Sequence, residues 1–365
     1  MSYEDSSNKN PFSNEGERPK LNSQVQITDE MEEMFEKTKT NIVNKRFAGA
    51  FGTAAFMVLF FVRFEGVLFL VQLGIAAVLG LISLALYLRY KKISDGENTE
   101  IQYIENCIVP IANQIVPGVT VEPSLQYMPL YGPLEKETVG FRKGGNVIEH
   151  VMISTRAGIN LGRYLVEHCV IPEFKTSFET DFVIDALTNN KEGFLFTNAK
   201  ATTETNTENG TSVDIEFEGP IVAMRMKHAV RSGVSMYTSK KGLFGKEGAN
   251  GYRKVDTIDT ENEDFNKSFE VSAEEESQAF FVLSPLVMEN LLKMKEQYGN
   301  FGLYIEDDFL IFGFDLRRQP LKMPESYSAA KKMDINKTVD EIVKMLNMIY
   351  DFKDAVDLNF DTTMQ

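Results

Sequence analysis

The sequence predicts an α+β protein, an N-terminal two-helix transmembrane hairpin followed by a cytoplasmic domain with an antiparallel sheet and amphipathic helices. Three observations carry this expectation. Two apolar runs free of charge, residues 47–62 and 67–88, stand close together near the N-terminus. Further on, Asn209-Gly210 lies between two strand-like runs, the strongest short hairpin signal a sequence offers. Beyond these, apolar residues recur at three- and four-residue spacing behind helix-starting residues, so strands and helices are segregated, not alternating.

Taken in order, residues 1–26 are rich in Ser, Asn, Pro and charge and are expected to be a disordered tail. Residues 27–46 read as a cytoplasmic helix: Asp29 with Glu32 makes a capping-box-like start, and Met31, Met34, Phe35 and Ile42 fall at helical spacing. The transmembrane hairpin takes residues 47–88. Its two runs span roughly 24 and 33 Å against a hydrocarbon thickness of about 30 Å. Arg63 can snorkel and Phe64 can sit at headgroup depth, which lengthens the shorter run. A long, mostly polar stretch precedes the first run, unlike a signal peptide.

Lys37, Lys39, Lys45, Arg46, Arg89, Lys91 and Lys92 flank the hairpin, whereas its tip holds Arg63 alone. The positive-inside rule then puts both termini in the cytoplasm and the two passes in the inner (cytoplasmic) membrane. Gly49, Gly52, Gly74 and Gly80 are the candidate packing residues, because small side chains let two backbones approach, within the hairpin or between copies. Gln72, the one amide in either span, reads as an interhelical hydrogen bond. Residues 89–118 continue as a connecting helix through Ile101, Ile104, Ile108, Ile111 and Ile115, with a kink expected at Pro110.

Residues 119–365 form the expected cytoplasmic α+β domain. Around the Asn209-Gly210 turn, Val213, Ile215 and Phe217 alternate with Asp214, Glu216 and Glu218, which implies one wet sheet face. Further strands are expected at 181–186, 233–239, 267–271, 302–305 and 309–314, with Glu306-Asp307-Asp308 as a hairpin tip between the last two. Helix starts are read at Ser272 with Glu275, at Ser284-Pro285 with a stop near Gly299, and at Thr338 with Glu341.

The runs Val255-Asp256-Thr257 and Phe265-Asn266-Lys267-Ser268-Phe269-Glu270-Val271, then Ala279 and Leu283-Ser284-Pro285-Leu286-Val287-Met288, carry a family resemblance. With Phe217-Glu218-Gly219, Glu306-Asp307-Asp308 and the N-terminal hairpin, the chain resembles the uncharacterised bacterial membrane proteins grouped as domain of unknown function 3137, over roughly residues 174–314. Where an acidic-plus-Gly segment would precede the first hairpin, this chain has Phe182-Val183-Ile184-Asp185-Ala186. The resemblance implies a membrane-tethered cytoplasmic domain and supplies no catalytic residues.

Composition bounds the chemistry. The 365 residues carry 38 Lys and Arg against 53 Asp and Glu, a net charge of −15, which disfavours nucleic acid as a partner. Two Cys and three His are too few for a disulfide framework or a zinc site, and no cofactor or metal is expected. Gly242-Leu243-Phe244-Gly245-Lys246-Glu247 looks like half a phosphate loop, but Glu247 stands where Mg²⁺ needs a hydroxyl. The acidic group Asp256, Asp259, Glu261, Glu263 and Asp264 lacks the Gly of a calcium loop and reads as a solvated loop.

One segment departs from the acidic background. Between Met224 and Lys254 stand Arg225, Lys227, Arg231, Lys240, Lys241, Lys246, Arg253 and Lys254 against Glu247 alone. Such a patch suits the phosphate of anionic lipid headgroups, or else pairs with the acidic C-terminal part of the same domain. The function expected is a membrane-anchored binding or scaffold module whose partners are the membrane, anionic lipids, and another protein or a second copy. The alternative is a membrane-bound enzyme acting on a phosphorylated or lipid substrate.

Overall fold

A computed structural model describes residues 17–60, 67–95, 99–123, 127–130, 176–187, 190–207, 210–238, 258–273 and 275–363. The chain divides into two compact units, Val25–Ile111 with Met323–Lys337, and Met1–Gln24 with Ala112–Lys322 and Thr338–Gln365.

The first unit is helical. Helix α1 (Asp29–Phe60) is continuous through the expected cytoplasmic helix into the first apolar run. Its cap is Thr28, whose Oγ1 accepts from Met31 N, one residue ahead of the expected Asp29. Helix α2 (Val67–Asp95) carries, over Phe69–Lys91, the one described helix long and apolar enough to cross a membrane. The first run is described only as far as Phe60, and the tip at 61–66 lies outside the described residues. Met31 and Met34 are buried, and Phe35 meets Tyr103 edge-on at 6.1 Å.

The connecting helix comes in pieces, α3 (Thr99–Tyr103), a π turn (Ile104–Ile108) and α4 (Val109–Ile115). Pro110 causes the break without the expected simple kink. Its ring would collide with the carbonyl one turn back, and widening that turn, so that Val109 N–H reaches Ile104 O, relieves the collision.

The second unit is built on a seven-stranded sheet: β1 (Thr120–Pro123), β2 (Tyr127–Leu130), β3 (Thr176–Asp185), β4 (Phe194–Thr207), β5 (Gly210–Thr238), β6 (Phe269–Ala273) and β7 (Phe301–Phe314). All its pairings are antiparallel, in the order β1-β3-β4-β5-β6, with β2 also on β3 and β7 also on β5. β4 and β5 pair as far as Thr207 opposite Gly210, and Asn209 of the expected Asn-Gly turn lies outside the described residues. β5 has 29 residues and serves β4 with its first half and β6 with its second, while β7 lines it from the other side.

Two sheet expectations change. The alternation from Val213 to Glu218 does not make one dry face, because Val213 and Ile215 are exposed near the hairpin tip. Further along β5, Ile221 to Met224 are buried on both faces, as suits a strand that pairs on both edges. Nor is Glu306-Asp307-Asp308 a hairpin tip. β7 runs straight through it, and Asp307, at φ 52°, sits where the register shifts against β5 between Arg225 and Val234. Acidic turn residues here serve a bulge, which places extra β5 residues opposite a short stretch of β7. Gly219 is required where it stands, since a Cβ there would come 1.8 Å from Phe314 O.

Helices α5 (Glu263–Ser268), α6 (Glu276–Val282), α7 (Pro285–Tyr298) and α9 (Ile335–Thr363) accompany the sheet, and α8 (Tyr327–Lys332) belongs to the first unit. α7 starts as expected, with Ser284 Oγ accepting from Val287 N, and ends at Gly299 with φ 76°. Ser272 caps nothing: it lies in β6, its hydroxyl bonded to Ser235 across the sheet, and α6 begins after Glu275 without a side-chain cap. The expected strand at 267–271 starts later, because Asn262 caps α5 and holds residues to Ser268 in a helix. α9 starts three residues before Thr338, where Asp334 Oδ1 accepts from Lys337 N.

Phe312, Phe314 and Phe301 from β7 meet Phe352 of α9 and Phe269 of β6 in one aromatic core. The end of the expected tail is ordered. Asn22 N donates to Ile115 O, and Arg18 reaches Asp351 and Asn347 of α9 while lying 4.7 Å from the Tyr350 ring centre. Residues 1–16 lie outside the described residues.

Candidate functional site

α1 and α2 run antiparallel, and three polar side chains in their apolar stretches donate to backbone carbonyls. Gln72 Nε2 donates to Val58 O at 2.5 Å and Ser83 Oγ to Ala48 O at 2.8 Å, while Thr53 Oγ1 donates to Gly49 O within its own helix. Of the four candidate glycines, Gly52 is at the helix contact: a Cβ there would come 3.1 Å from Ser83 Oγ. Gly49, Gly74 and Gly80 have open space at that position. The outward side chains are apolar and bare, with Leu70 and Leu81 each 66% exposed and Phe56, Phe60, Val78 and Leu84 also exposed.

The basic segment is placed in part. Lys240, Lys241, Lys246, Arg253 and Lys254 lie outside the described residues, as do the whole of the half phosphate loop and Asp256. Met224 and Met226 point into the core, which turns Arg225 and Lys227 to the other face of β5. Arg225 pairs internally, 3.4 Å from Asp308 and over the Phe309 ring at 5.2 Å. Lys227 and Arg231 are exposed, and among the described residues their backbone N–H groups alone are tied down, to Asp357 Oδ1 and Gln278 Oε1.

Two clusters have no counterpart in the sequence reading. In the first, Lys353 of α9 is 1% exposed and lies 2.8 Å from Glu192 and 3.3 Å from Asp357. Burial acts to lower its pKa, but the hydrogen bonds and charges of Glu192 and Asp357 outweigh burial and raise it. Tyr350 Oη donates to Glu192 O beside it, and burial drives that phenol's pKa up. The Lys353–Asp357 spacing of four was visible in the sequence, whereas Glu192 is brought in from the β3–β4 turn by the fold.

In the second, β3 bulges between Thr180 and Val183 opposite Asn198. Asn198 is wholly buried, and its Nδ2 donates to Asp181 Oδ2 at 3.0 Å and to Pro320 O at 2.6 Å. Burial pushes the Asp181 carboxyl up to about 7, against the lowering effects of Asn198, the Phe182 N–H and the Lys322 charge. A bulge leaves no trace in residue spacing, which is why sequence reasoning passed over Asp181.

Among the described residues no group of three or more His, Cys, Asp or Glu side chains is placed to hold a metal ion. The acidic stretch around α5 is occupied locally, with Asn262 capping the helix and Lys267 pairing Glu263 and Asp264. Fold and side chains together define an α+β protein whose sheet domain shares a chain with a pair of helices, one of them apolar enough to span a membrane. The chain belongs to the family described as a protein of unknown function, DUF3137, whose model matches residues 169–354. Comparison with curated proteins and with solved structures found no match.

Proposed function

We propose that this protein is a two-pass membrane protein with both termini in the cytoplasm, anchoring an α+β module that binds rather than catalyses. The observation that carries the reading is the helix pair: Gln72 and Ser83 of α2 are turned inward onto carbonyls of α1, and the side chains exposed along both apolar stretches are mostly apolar. In water that surface would be a large exposed apolar patch, whereas in lipid it is the stable arrangement. The module's ligands in this reading are anionic lipid headgroups or a partner protein. Reporter fusions before Met1 and after Gln365 test it, together with carbonate extraction of membranes: cytoplasmic signal at both ends and retention in the pellet are expected. Release of the chain by carbonate, or an external C-terminal reporter, overturns it.

A second reading, an enzyme acting on a phosphorylated or lipid substrate, has Asp181 in its favour, since a carboxyl near neutrality suits proton transfer. Loss of turnover in Asp181→Ala, on lipid or phosphoester substrates, is its discriminating result.

A further inference from the structure

Three elements of the sheet domain, β5, α6 and α9, adjoin where apolar side chains and two cations stand exposed. Phe280 and Phe281, at the end of α6, are 49% and 39% exposed, and Leu358 of α9 is 55% exposed. Asn359 Nδ2 donates to Phe281 O, so the two helix segments are in contact. The Phe281 ring stacks on Phe360 at 6.2 Å, and Phe360 stacks on His228 of β5 at 5.8 Å. His228 belongs to the stretch that the β5–β7 register shift pushes out of the ladder, between Arg225 and Val230. That stretch carries Lys227, and Arg231 lies in the next shifted stretch, between Val230 and Val234; both are exposed and neither has a carboxylate within 4 Å among the described residues.

The nearby carboxylates are already engaged on the β5 side. Asp361 lies 2.8 Å from His228, and Asp357 holds Lys353 and the Lys227 N–H. Glu275 and Glu276, at the far end of α6, are acidic, so charge alone does not account for a ligand here. The combination that remains is exposed aromatic rings and a leucine, beside two long cations without a carboxylate partner among the described residues.

We infer that the surface formed by Phe280, Phe281, Leu358, Lys227 and Arg231 is a bilayer-contact face, inserting its apolar side chains among lipid headgroups. Aromatic rings favour the interfacial zone, and Lys and Arg beside them reach lipid phosphate while their stems cover apolar surface. The inference rests on the anchored reading, because a tether in the same chain keeps the bilayer at high effective concentration and makes a small contact face sufficient. It places a lipid contact on β5, α6 and α9 of the sheet domain.

The chain contains no Trp, so one introduced tryptophan reports from one place. Full-length Phe280→Trp, Val213→Trp and Leu84→Trp are reconstituted in vesicles of phosphatidylcholine with phosphatidylserine, with and without bromine on the acyl chains, and fluorescence is compared. Val213 stands exposed near the β4–β5 tip and controls for collision, and Leu84 of α2 tests the anchor itself. The expected result is loss of at least half the emission for Phe280→Trp and Leu84→Trp, and little loss for Val213→Trp. Adding Lys227→Gln with Arg231→Gln should weaken quenching of Phe280→Trp and leave Leu84→Trp unchanged. Quenching of Leu84→Trp with none of Phe280→Trp beyond the Val213→Trp level overturns the contact face and leaves the anchor standing. A blue-shifted, unquenched Phe280→Trp overturns it too, in favour of a protein covering the face. Unquenched Leu84→Trp overturns the anchored reading.

Discussion

Lys353 Nζ lies 2.8 Å from Glu192 Oε2, joining the middle of the longest helix of the sheet domain to the turn between β3 and β4. With 1% of its side chain exposed, the lysine stays charged because Glu192 and Asp357 both face it.

Lys353→Met keeps the volume of the side chain and removes its charge, leaving two carboxylates facing each other's field with no cation between them. Breaking a buried pair from one side costs about 3–5 kcal/mol, and Glu192, being partly exposed, places the expected loss at the lower end. Chemical denaturation of the wild type and the variant measures it. Adding Glu192→Gln should recover part of the loss, and a loss below about 1 kcal/mol would mean the network contributes little.

Cys107 offers a test of the helical unit. It is buried in the π turn, and burial pushes its thiol up to about 12, so it holds almost no thiolate at neutral pH. In a Cys169→Ser chain, maleimide should label Cys107 only after denaturation. Rapid labelling of the native protein would show that the turn around Pro110 opens readily.

Local chemistry was legible in the sequence and long-range arrangement was not. Ser284-Pro285 and Gly299 act through their own backbone neighbours, and each does what its type requires. Ser272 and Glu275 carry a helix-start signal equally well, yet pairing of β6 with β5 takes Ser272 into the sheet. The Glu306 to Asp308 stretch is another such case: turn residues and bulge residues are the same residues, and only the 29-residue β5 beside them decides which. At the site level, the alternation of Met224 and Met226 with Arg225 and Lys227 is legible in the sequence and matches their burial, the methionines buried and the cations less so. That Asp308 neutralises Arg225 across 83 residues depends on register, which residue spacing does not encode.

Gly52 is the glycine at the contact between α1 and α2. Gly52→Leu should force the helices apart, because even a Cβ would come 3.1 Å from Ser83 Oγ, and overpacking of this kind costs about 1–3 kcal/mol. Gly49→Leu meets open space and should be tolerated. Thermal denaturation of the three proteins in the same detergent ranks them, and equal losses at both positions would refute the packing assigned to Gly52.

Asp181 gives the protein a pH dependence of definite sign. Its carboxyl has a folded pKa of about 7 against the ordinary 3.8, chiefly through burial, so the fold binds its proton more tightly than the unfolded chain does. The stability it contributes is therefore whole below about pH 3.8, falls as the pH rises through about 7, and changes no further beyond that. The facing groups are Asn198 Nδ2, the Phe182 N–H and the Lys322 charge, all of which favour the ionised form and are insufficient to offset burial. Asp181→Ala removes the titration and leaves Asn198 its bond to Pro320 O. Between pH 5 and 8 the wild-type melting temperature should fall relative to that of Asp181→Ala, and the difference isolates this one group from the titration of the rest of an acidic chain. Carbon-13 titration of the Asp181 carboxyl, with a midpoint near neutrality, measures the same quantity directly. A midpoint below about 5, in the range of ordinary carboxylates, would remove both the pH step and the basis for proton transfer at this bulge.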